Sequence, residues 1–493
     1  MRRISLVRMT CAGVAFWAAT VMVARAQVFD NLFQFDYYTD GDPGVQPLVQ
    51  GPNGNLYGIT QAGGPSYANC GSCGTFFEIT PAGKFTLLYS FCAIPGCPDG
   101  SRPWSLILAT DGNFYGTTLN GPPGTSGTFF RVTPEGELRT LYIFCETCVG
   151  GDGPYGIVQA SNGNFYGVTL QGGTYDEGVV FEITPAGVLT ALYNFCSDYP
   201  TCADGANPIS PLIQGGNGNF YGITNEGSVG GYGTIFEITP AGKLTTLHSF
   251  CSQANCADGS TPEGAPLVQA SNGSLYGTVA YGGTNGDGVA FEITPSGEFT
   301  ILHTFCSLAD CADGHYPDSG LMQATNGALY GTTFFAPSDT HSCFNGQGCG
   351  TLFQITTAGK LTALHDFCLT PLDGCPGGEY PFGLMQATNG TFYGMTVDGG
   401  SGNAGVIYTW SLGLGPFVKT VPVAGNAGTS VMILGNNLTG TTSVTFNGMA
   451  AAFTVVSDTE IRATVPTGAI TGKVVVVTSG GDLTSNVAFQ VLN

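Results

Sequence analysis

The sequence predicts an all-β protein: a seven-bladed β-propeller closed by an N-terminal strand and followed by an immunoglobulin-like β-sandwich. Three observations predict this fold. The motif Asn/Asp-Gly-x-Leu/Phe-Tyr-Gly occurs seven times, each repeat holds strand-like segments in the same order, and the last repeat lacks a fourth segment that the N-terminus supplies. Four antiparallel strands in a repeating unit of roughly 50 residues are typical of a propeller blade.

Each repeat contains the same succession of strands and turns. An apolar run ends at an Asn-Gly turn, which suits a hairpin because both residues accept positive φ. The Tyr-Gly strand follows, then a strand such as 236–239, a Pro-x-Gly turn and a fourth strand such as 244–250. Alternation and a high content of β-branched and aromatic residues mark these segments as strands. The motif tyrosines are Tyr57, Tyr115, Tyr166, Tyr221, Tyr276, Tyr330 and Tyr393.

The two ends of the repeat region favour a closed ring. The seventh repeat stops after its third strand, Val406–Trp410, whereas Leu32–Phe35 near the N-terminus matches the fourth strands of the other repeats. A strand shared between the two ends would leave no exposed sheet edge. An open solenoid of stacked repeats is the alternative.

The first 26 residues have the pattern of a secretory signal peptide. Arg2, Arg3 and Arg8 form a basic start, residues 11–23 are apolar, and Ala24-Arg25-Ala26 offers a cleavage site. An uncleaved anchor is the alternative. We therefore expect an exported protein, extracellular or at the cell surface, with no transmembrane segment after cleavage. The expected domains are the propeller in residues 27–411, a linker in 412–414 and the sandwich in 415–493.

The composition excludes nucleic acid as a partner. Residues 27–493 contain nine Lys and Arg against 34 Asp and Glu, a formal net charge of −25. Nucleic-acid binding requires cationic side chains that neutralise phosphates. A chain as acidic as this one repels nucleic acid.

Sixteen cysteines of the expected mature chain form eight pairs of near neighbours in sequence. An even count in an exported chain predicts disulfides. Zinc is the alternative, but zinc sites need fixed spacing and converging pairs, and here the spacing varies. The expected structural disulfides are Cys70/Cys73, Cys92/Cys97, Cys145/Cys148, Cys196/Cys202, Cys251/Cys256, Cys306/Cys311, Cys343/Cys349 and Cys368/Cys375.

Antiparallel order places all the cysteine pairs and long loops on one face, where ligand-binding residues are expected. An Asp-Gly step recurs in the loops of that face. Two interpretations remain open: a ring of carboxylates that binds Ca²⁺, or aspartates that each cap their own turn, which the repetition favours. The aspartates concerned are Asp40, Asp99, Asp152, Asp204, Asp258 and Asp313.

Other polar residues of the repeats point to structural roles. His248, His303 and His365 occupy a position that is tyrosine in other repeats, which suggests a packed ring with one hydrogen bond. Repeated third-strand glutamates suggest pairing between blades. No catalytic motif is present, so we predict no catalytic residue, no metal site and no cofactor other than the calcium considered above. The obvious asymmetries are loop inserts at 65–73 and 335–349, where Asp339 and His341 are the chief acid–base candidates.

The motifs Asn-Gly-x-Phe-Tyr-Gly-x-Thr, Phe-Glu-Ile-Thr-Pro-x-Gly and Leu-x-x-Leu-Tyr-x-Phe resemble the GloVer tandem-repeat family of bacterial exported proteins over residues 29–411. The resemblance implies an exported, often surface-associated protein of largely undefined biochemical activity. Members commonly end in an anchoring signal, and this chain departs from that pattern.

Residues 415–493 resemble an IPT/TIG domain. The resemblance rests on residues 421–428, 431–438 and 444–448, followed by 465–469 and 472–476. Alternating strands at these spacings also predict a small sandwich by themselves. The resemblance implies an extracellular spacer or binding module without catalysis.

The sequence therefore leaves two candidate functions. The first is a non-catalytic extracellular or cell-surface scaffold that binds a glycan or protein through its loop-bearing face, with the sandwich as spacer or second contact. The alternative is a secreted carbohydrate-active enzyme, a hydrolase or lyase. An enzyme should break the repeat symmetry, with unique acids or histidines converging in a pocket.

Overall fold

The computed structural model describes residues 27–66, 70, 73–336, 348–368 and 375–492. The expected signal peptide, Asp339, His341 and Cys343 lie outside the described residues. The described chain is all-β, with short 3₁₀ turns at Ala254–Cys256 and Ala309–Cys311. Among these residues, no helix is long and apolar enough to cross a membrane.

Seven blade-like antiparallel sheets form the repeat region of the described chain. We number them in the order of the repeats. The strands of sheet 1 are Val49–Gln50, Leu56–Thr60, Thr75–Ile79 and Phe85–Ser90; of sheet 2, Ser101–Leu108, Phe114–Asn120, Thr128–Val132 and Leu138–Ile143; of sheet 3, Asp152–Gln159, Phe165–Gln171, Val179–Ile183 and Leu189–Asn194; of sheet 4, Ala206–Pro208 with Ile213–Gln214, Phe220–Glu226, Thr234–Ile238 and Leu244–Ser249. The strands of sheet 5 are Val268–Gln269, Leu275–Val279, Val289–Ile293 and Phe299–Thr304; of sheet 6, Met322–Gln323, Leu329–Thr333, Thr351–Ile355 and Leu361–Asp366; of sheet 7, Glu379–Gln386, Phe392–Asp398, Val406–Ser411 and Val28–Gln34.

The N-terminal strand supplies the fourth strand of sheet 7. Val28–Gln34 pairs antiparallel with Val406–Ser411, with Phe33 opposite Ile407 and Gln34 opposite Val406. Phe33 stacks on Phe85 of sheet 1, with ring centroids 4.2 Å apart. The two ends of the repeat region therefore lie in one sheet, beside the first repeat.

In several sheets, residues of the repeated Asn-Gly motif donate hydrogen bonds to a glutamate on the third strand of the same sheet. In sheet 1 one carboxylate oxygen of Glu78 accepts hydrogen bonds from Asn53, Asn55 and Tyr57, at 2.9, 2.7 and 2.9 Å. Glu182 and Glu237 bind their own sheets in the same way. The expectation of pairing between blades was wrong, because these glutamates tie the third strand to the first turn of the same sheet. We call the end of the sheets that carries these tight turns the turn side, and the opposite end the loop side.

Buried or half-buried glutamines join most neighbouring sheets at the ends of their first strands. In sheet 6, for example, Gln323 accepts a hydrogen bond from the backbone N–H of Ser271 in sheet 5 at 2.9 Å and donates one to Gly327 O at 3.1 Å. The same bond joins sheet 7 to sheet 1, because Gln50 accepts from Thr388 N–H at 3.0 Å. The remaining glutamine acceptors are Gln159, Gln214, Gln269 and Gln386.

The junction of sheets 1 and 2 lacks this bond on both sides. Sheet 2 has Leu108 at the glutamine position, and sheet 1 has Pro52 at the position whose N–H would donate. Proline has no N–H and leucine has no acceptor. The two exceptions therefore match each other, and neither leaves a buried polar group unpaired.

The C-terminal sandwich contacts this junction. Met432 and Leu434 belong to one buried apolar cluster with Leu106 and Leu108. Thr459 Oγ1 donates a hydrogen bond to Pro52 O at 2.6 Å, and the guanidinium of Arg462 donates to Thr110 O. The sandwich lies against the turn side of the sheets and packs apolar side chains where the glutamine bond is missing.

The sandwich itself consists of two four-stranded sheets and a parallel strand pair in the described chain. Its core includes Val431, Ile433, Val444, Phe446 and Val474, all at most 1% exposed. One sheet contains Lys419–Val421, Ser430–Leu434, Glu460–Thr464 and Phe453–Val455; the other contains Met449–Ala450, Ser443–Phe446, Val474–Thr478 and Gly481–Thr484; the parallel pair is Ala424–Gly425 with Gln490–Val491.

Replacing Gln323 by Leu tests the glutamine bonds. The side chain is 4% exposed, and its loss leaves Ser271 N–H and Gly327 O without their partner. We expect the free energy of unfolding to fall by about 1–3 kcal/mol in chemical denaturation. Gln253→Leu, in an exposed loop, is the control, and an equally small effect of both substitutions would contradict a stabilising role.

Candidate functional site

The first strands of the seven sheets surround a cavity of about 620 Å³, which we call the central cavity. All seven sheets and the sandwich contribute to its lining. Most of that lining is apolar, with Leu106, Ile157, Leu267 and Leu384 among the contributors. The volume lies within the roughly 300–1,000 Å³ typical of ligand pockets.

The loop-side end of the central cavity is marked by one repeated sequence position. A proline lies in the first strand of each sheet or shortly before it and packs on a glycine of the preceding sheet, as Pro103 does on Gly74; a Cβ at Gly74 would lie 2.6 Å from Pro103 Cδ. The residue after that proline varies from sheet to sheet and, in five sheets, lines the cavity. These five residues, the mouth residues, are Trp104, Tyr155, Glu263, Asp318 and Phe382.

The mouth residues are distributed asymmetrically. Aromatic side chains come from sheets 2, 3 and 7, whereas the two acids come from the adjacent sheets 5 and 6. The rings of Trp104 and Tyr155 are tilted, with centroids 4.6 Å apart. Tyr155 also reaches towards sheet 5, since a Cβ at Gly264 would lie 3.6 Å from its Cε1. The mouth therefore has an aromatic side facing an acidic side.

Asp318 is the most strongly perturbed acid of the mouth. Burial, and next the nearby charge of Glu263, raise the pKa of Asp318 well above its usual range. Its Oδ1 is buried without a hydrogen-bond partner. An unpaired buried carboxyl oxygen is costly unless a ligand or water satisfies it. Asp318 thus behaves as a carboxyl group that favours its protonated form.

Glu263 stands in a different environment. Its Oε2 accepts a hydrogen bond from Tyr316 Oη at 3.0 Å, and Tyr316 also contacts Tyr281. Burial first, then the charges of Asp318 and Glu263, raise the pKa of Tyr155, which keeps that phenol protonated. The acidic side of the mouth therefore pairs one carboxyl held by a phenol with one that is buried and unpaired.

A second cavity of about 570 Å³ adjoins the acidic side between sheets 5 and 6, and we call it the side cavity. Glu263 and Asp318 line both cavities. His315 lies in the side cavity with Nδ1 3.6 Å from Asp287 Oδ1, and its ring stacks on that of Phe335 with centroids 5.1 Å apart. The insert of the sixth repeat begins at this wall.

The cysteines form the expected local bonds in the described chain. Each small loop closed contributes about 2 kcal/mol in the chain-entropy account. Cys349 is also in a disulfide, while Cys343 lies outside the described residues. The bonds are Cys70–Cys73, Cys92–Cys97, Cys145–Cys148, Cys196–Cys202, Cys251–Cys256, Cys306–Cys311 and Cys368–Cys375.

Four of the six loop aspartates bind their own sheet. Asp313 accepts hydrogen bonds from His303 Nε2 at 2.8 Å and from the backbone and hydroxyl of Ser307 at 3.0 and 2.8 Å. Asp99 accepts from Tyr89 Oη and Cys92 N–H. Asp204 and Asp258 bind the equivalent Tyr193 or His248 and the following loop. These contacts explain why His and Tyr interchange on the fourth strand, since both can donate to the aspartate.

Asp40 and Asp152 depart from this arrangement. Asp40 accepts from Asp36 N–H at 3.1 Å, and sheet 7 has Phe33 at the Tyr/His position. Gly151 occupies the place that Gly100 has in the preceding loop, because a Cβ at either glycine would lie 2.2–2.3 Å from the hydroxyl of a second-strand threonine. Asp152 therefore lies two residues further along its loop than the other five aspartates do. The Asp-Gly step at Asp152 is therefore not equivalent to the other five.

The structure does not gather these carboxylates into one calcium site, and calcium binding stays an untested prediction. Among the described residues, groups of three candidate ligands within 4.8 Å consist of cysteines alone, Cys70/Cys73/Cys92 and Cys349/Cys368/Cys375. All six are in disulfides, so they do not offer thiolates to an ion.

The third histidine, His365, belongs to sheet 6. The loop that follows this sheet has Gly377 in place of the aspartate. Its ring stacks on Phe29 with centroids 4.1 Å apart. Burial lowers the pKa of His365 to about 4. Its role is packing, as the sequence predicts.

Sequence reasoning missed the mouth residues. They stand in the variable position after a repeated proline, whereas attention to repeated residues selects the aspartates before it. The available signal was that Glu263 and Asp318 are the acids at a position that is otherwise glycine, aromatic or isoleucine.

Asp313→Asn tests the hydrogen bonds that this carboxylate accepts within its own sheet, because their contribution to stability depends on pH. Burial opposes ionisation of Asp313, but hydrogen bonds from His303, Ser307 and Leu308 together lower its pKa to about 2. A carboxyl with a depressed folded-state pKa stabilises the fold above its unfolded pKa of about 3.9 and loses that effect as pH falls towards 2. We expect a loss of about 2 kcal/mol of unfolding free energy at pH 7 that shrinks between pH 4 and 2.

Thermal and chemical unfolding of the variant and the wild type at several pH values would measure this difference. Asp310→Asn, at an exposed position of the same loop, is the control. A difference between wild type and Asp313→Asn that stays constant down to pH 2 would rule out the carboxylate as its source.

Comparisons with known proteins identify both parts of the chain. Residues 102–342 match the family model of the Gloeobacter/Verrucomicrobia repeat, and residues 417–491 match that of the IPT/TIG domain. Both resemblances expected from the sequence are confirmed. No curated protein matches the chain.

Solved structures that match this chain share little sequence with it. A PQQ-bound aldose sugar dehydrogenase from Streptomyces coelicolor has a TM-score of 0.38 and 11% identity, covering 78% of this chain and 98% of its own. PorZ, a surface component of the type-IX secretion system of Porphyromonas gingivalis, has a TM-score of 0.47 and 14% identity, covering 92% of this chain and 60% of its own. A protein of unknown function from Bacteroides thetaiotaomicron has a TM-score of 0.39 and 13% identity, covering 69% and 81%.

Together, the family matches and the described strands show a propeller-like, disulfide-bonded chain that matches the Gloeobacter/Verrucomicrobia repeat over residues 102–342 and the IPT/TIG domain over residues 417–491.

Proposed function

We propose that this chain is an exported, closed seven-bladed β-propeller that binds a glycan through the mouth of its central cavity. The pairing of Val28–Gln34 with Val406–Ser411 and the bond from Thr388 to Gln50 support the closed ring. The local disulfides support export, because such bonds persist in oxidising compartments. The expected signal peptide at 1–26 belongs to the same proposal.

The observation that carries the binding proposal is the aromatic and acidic pairing of the mouth residues. Aromatic rings such as Trp104 offer flat apolar faces for the C–H faces of a sugar, and carboxyl groups such as Glu263 accept hydrogen bonds from its hydroxyls. Both kinds of group line one concave cavity on a rigid framework of strands. A cavity of this volume suits a short stretch of saccharide better than the broad contact that a protein partner needs.

Binding on a glycan array, followed by calorimetry with the best ligand, tests the proposal. We expect Trp104→Ala and Glu263→Gln each to weaken binding at least about tenfold, since each removes an interaction of about 1.4 kcal/mol or more. Tyr199→Ala, which removes an aromatic side chain 66% exposed on the loops, is the control.

Unchanged affinity in both mouth variants would place the ligand elsewhere, and the absence of any bound glycan would overturn the proposal.

The acid pair of the mouth also favours a second candidate function, a secreted glycoside hydrolase. Glu263 and Asp318 are unique to sheets 5 and 6 and converge in one cavity, which is the break in symmetry that an enzyme requires. A carboxyl whose pKa is raised by burial, next to a second carboxyl, is the arrangement of general acid and second carboxylate used in glycoside hydrolysis. Asp318 would donate the proton to the leaving oxygen, and Glu263 would serve as the second carboxylate.

A polysaccharide hydrolysis screen separates the two functions. If the chain is a hydrolase, Asp318→Asn lowers the rate at least about 100-fold, because a positioned general acid contributes roughly 10²–10⁴-fold. Binding of the glycan by the same variant should persist, since the amide keeps the shape of the carboxyl. Hydrolysis that is unaffected by Asp318→Asn and Glu263→Gln would remove the acid pair as its source.

A further inference from the structure

The turn-side end of the central cavity is formed by the C-terminal sandwich. Lys419 and Asn486 of the sandwich line the same cavity as the mouth residues. The sandwich also binds the turn side of three sheets around it: Asn436 donates to Thr388 Oγ1 at 2.8 Å, Thr459 to Pro52 O at 2.6 Å and Asn486 to Gln323 O at 3.4 Å. The sandwich therefore supplies a floor to the cavity.

The cation on this floor has no anionic partner. Among the described residues, no hydrogen bond or ion pair joins Lys419 Nζ to a partner, and Nζ lies 5.9 Å from the centroid of the Phe417 ring. Burial lowers the pKa of Lys419 to about 8. Lys419 is half-buried, and an ammonium that is partly removed from water without a counter-charge is unfavourable. Residues 27–493 hold only nine Lys and Arg side chains. One of these nine lines a cavity whose wall is mostly apolar and includes two acids, Glu263 and Asp318.

The rest of the chain restricts which anion fits this floor. A formal net charge of −25 for residues 27–493 repels polyanions, and Glu263 lies at the mouth through which a ligand enters. Lys419 can therefore select one acidic group that is carried inside by a neutral body, but it cannot attract a chain of charges from solution.

Building on the glycan-binding function proposed above, we infer that Lys419 and Asn486 form a subsite for the carboxylate of a single uronic acid at the end of an otherwise neutral oligosaccharide. The uronate carboxylate lies on the floor and the neutral sugars reach the aromatic side of the mouth. The IPT/TIG sandwich is then part of the binding site, since the sheets alone leave the cavity without its cation.

Calorimetry with matched saccharide pairs tests this subsite. Each pair consists of an aldouronic acid, which is a neutral oligosaccharide bearing one uronic acid, and the same compound with its carboxyl reduced to an alcohol. We expect the full chain to bind the acid at least about tenfold more tightly than the reduced form, as a hydrogen-bonded charge pair implies. Lys419→Met should abolish that preference and leave the affinity for the reduced form unchanged. Lys360→Met, which removes the same charge from an exposed turn, should keep the preference.

Retained affinity of Lys419→Met for the reduced saccharide shows that the variant is folded. If wild type binds acid and reduced forms equally, or if Lys419→Met keeps the preference, the subsite is wrong while glycan binding stands. If no saccharide of either kind binds, the glycan-binding function fails and the subsite fails with it.

Discussion

Contact between the first strands of neighbouring sheets is the constraint on which the rest of this structure depends. Two polar contacts are repeated at most junctions between neighbouring sheets. One is the glutamine bond to a backbone N–H, and the other is a backbone bond such as that from Arg102 N–H to Cys73 O at 3.1 Å. Because these first strands also form the wall of the central cavity, the spacing of the sheets sets the positions of the mouth residues. Stability and binding geometry therefore rest on the same contacts.

Much of the architecture follows from local sequence. The Asn-Gly turns, strand alternation and Pro-x-Gly turns act over a few residues, and the strands form where these patterns place them, as in 236–239 and 244–250. The cysteine pairs are equally local. The match of Leu32–Phe35 to the missing fourth strand is a longer-range inference, and it was available because one repeat was visibly incomplete.

Contacts between repeats were harder to predict. The glutamine at the end of the first strand looks like an ordinary strand residue, and its partner lies one repeat away. The repetition of the third-strand glutamates suggests pairing between sheets, whereas Asn53, Asn55 and Tyr57 bind Glu78 within one sheet. The mouth acids and Lys419 come together only through the arrangement of seven sheets and a sandwich, which no local pattern encodes.

The junction with Pro52 and Leu108 differs from the others, and this difference determines where the sandwich packs on the sheets. The other described junctions resemble one another on their turn side, so they offer a domain resting there several similar places to pack. Met432 and Leu434 pack on Leu108, while every other junction would oppose them with a glutamine amide. Pro52 and Leu108 thus favour one orientation of the sandwich over the others. That orientation determines where Lys419 lies relative to Glu263 and Asp318.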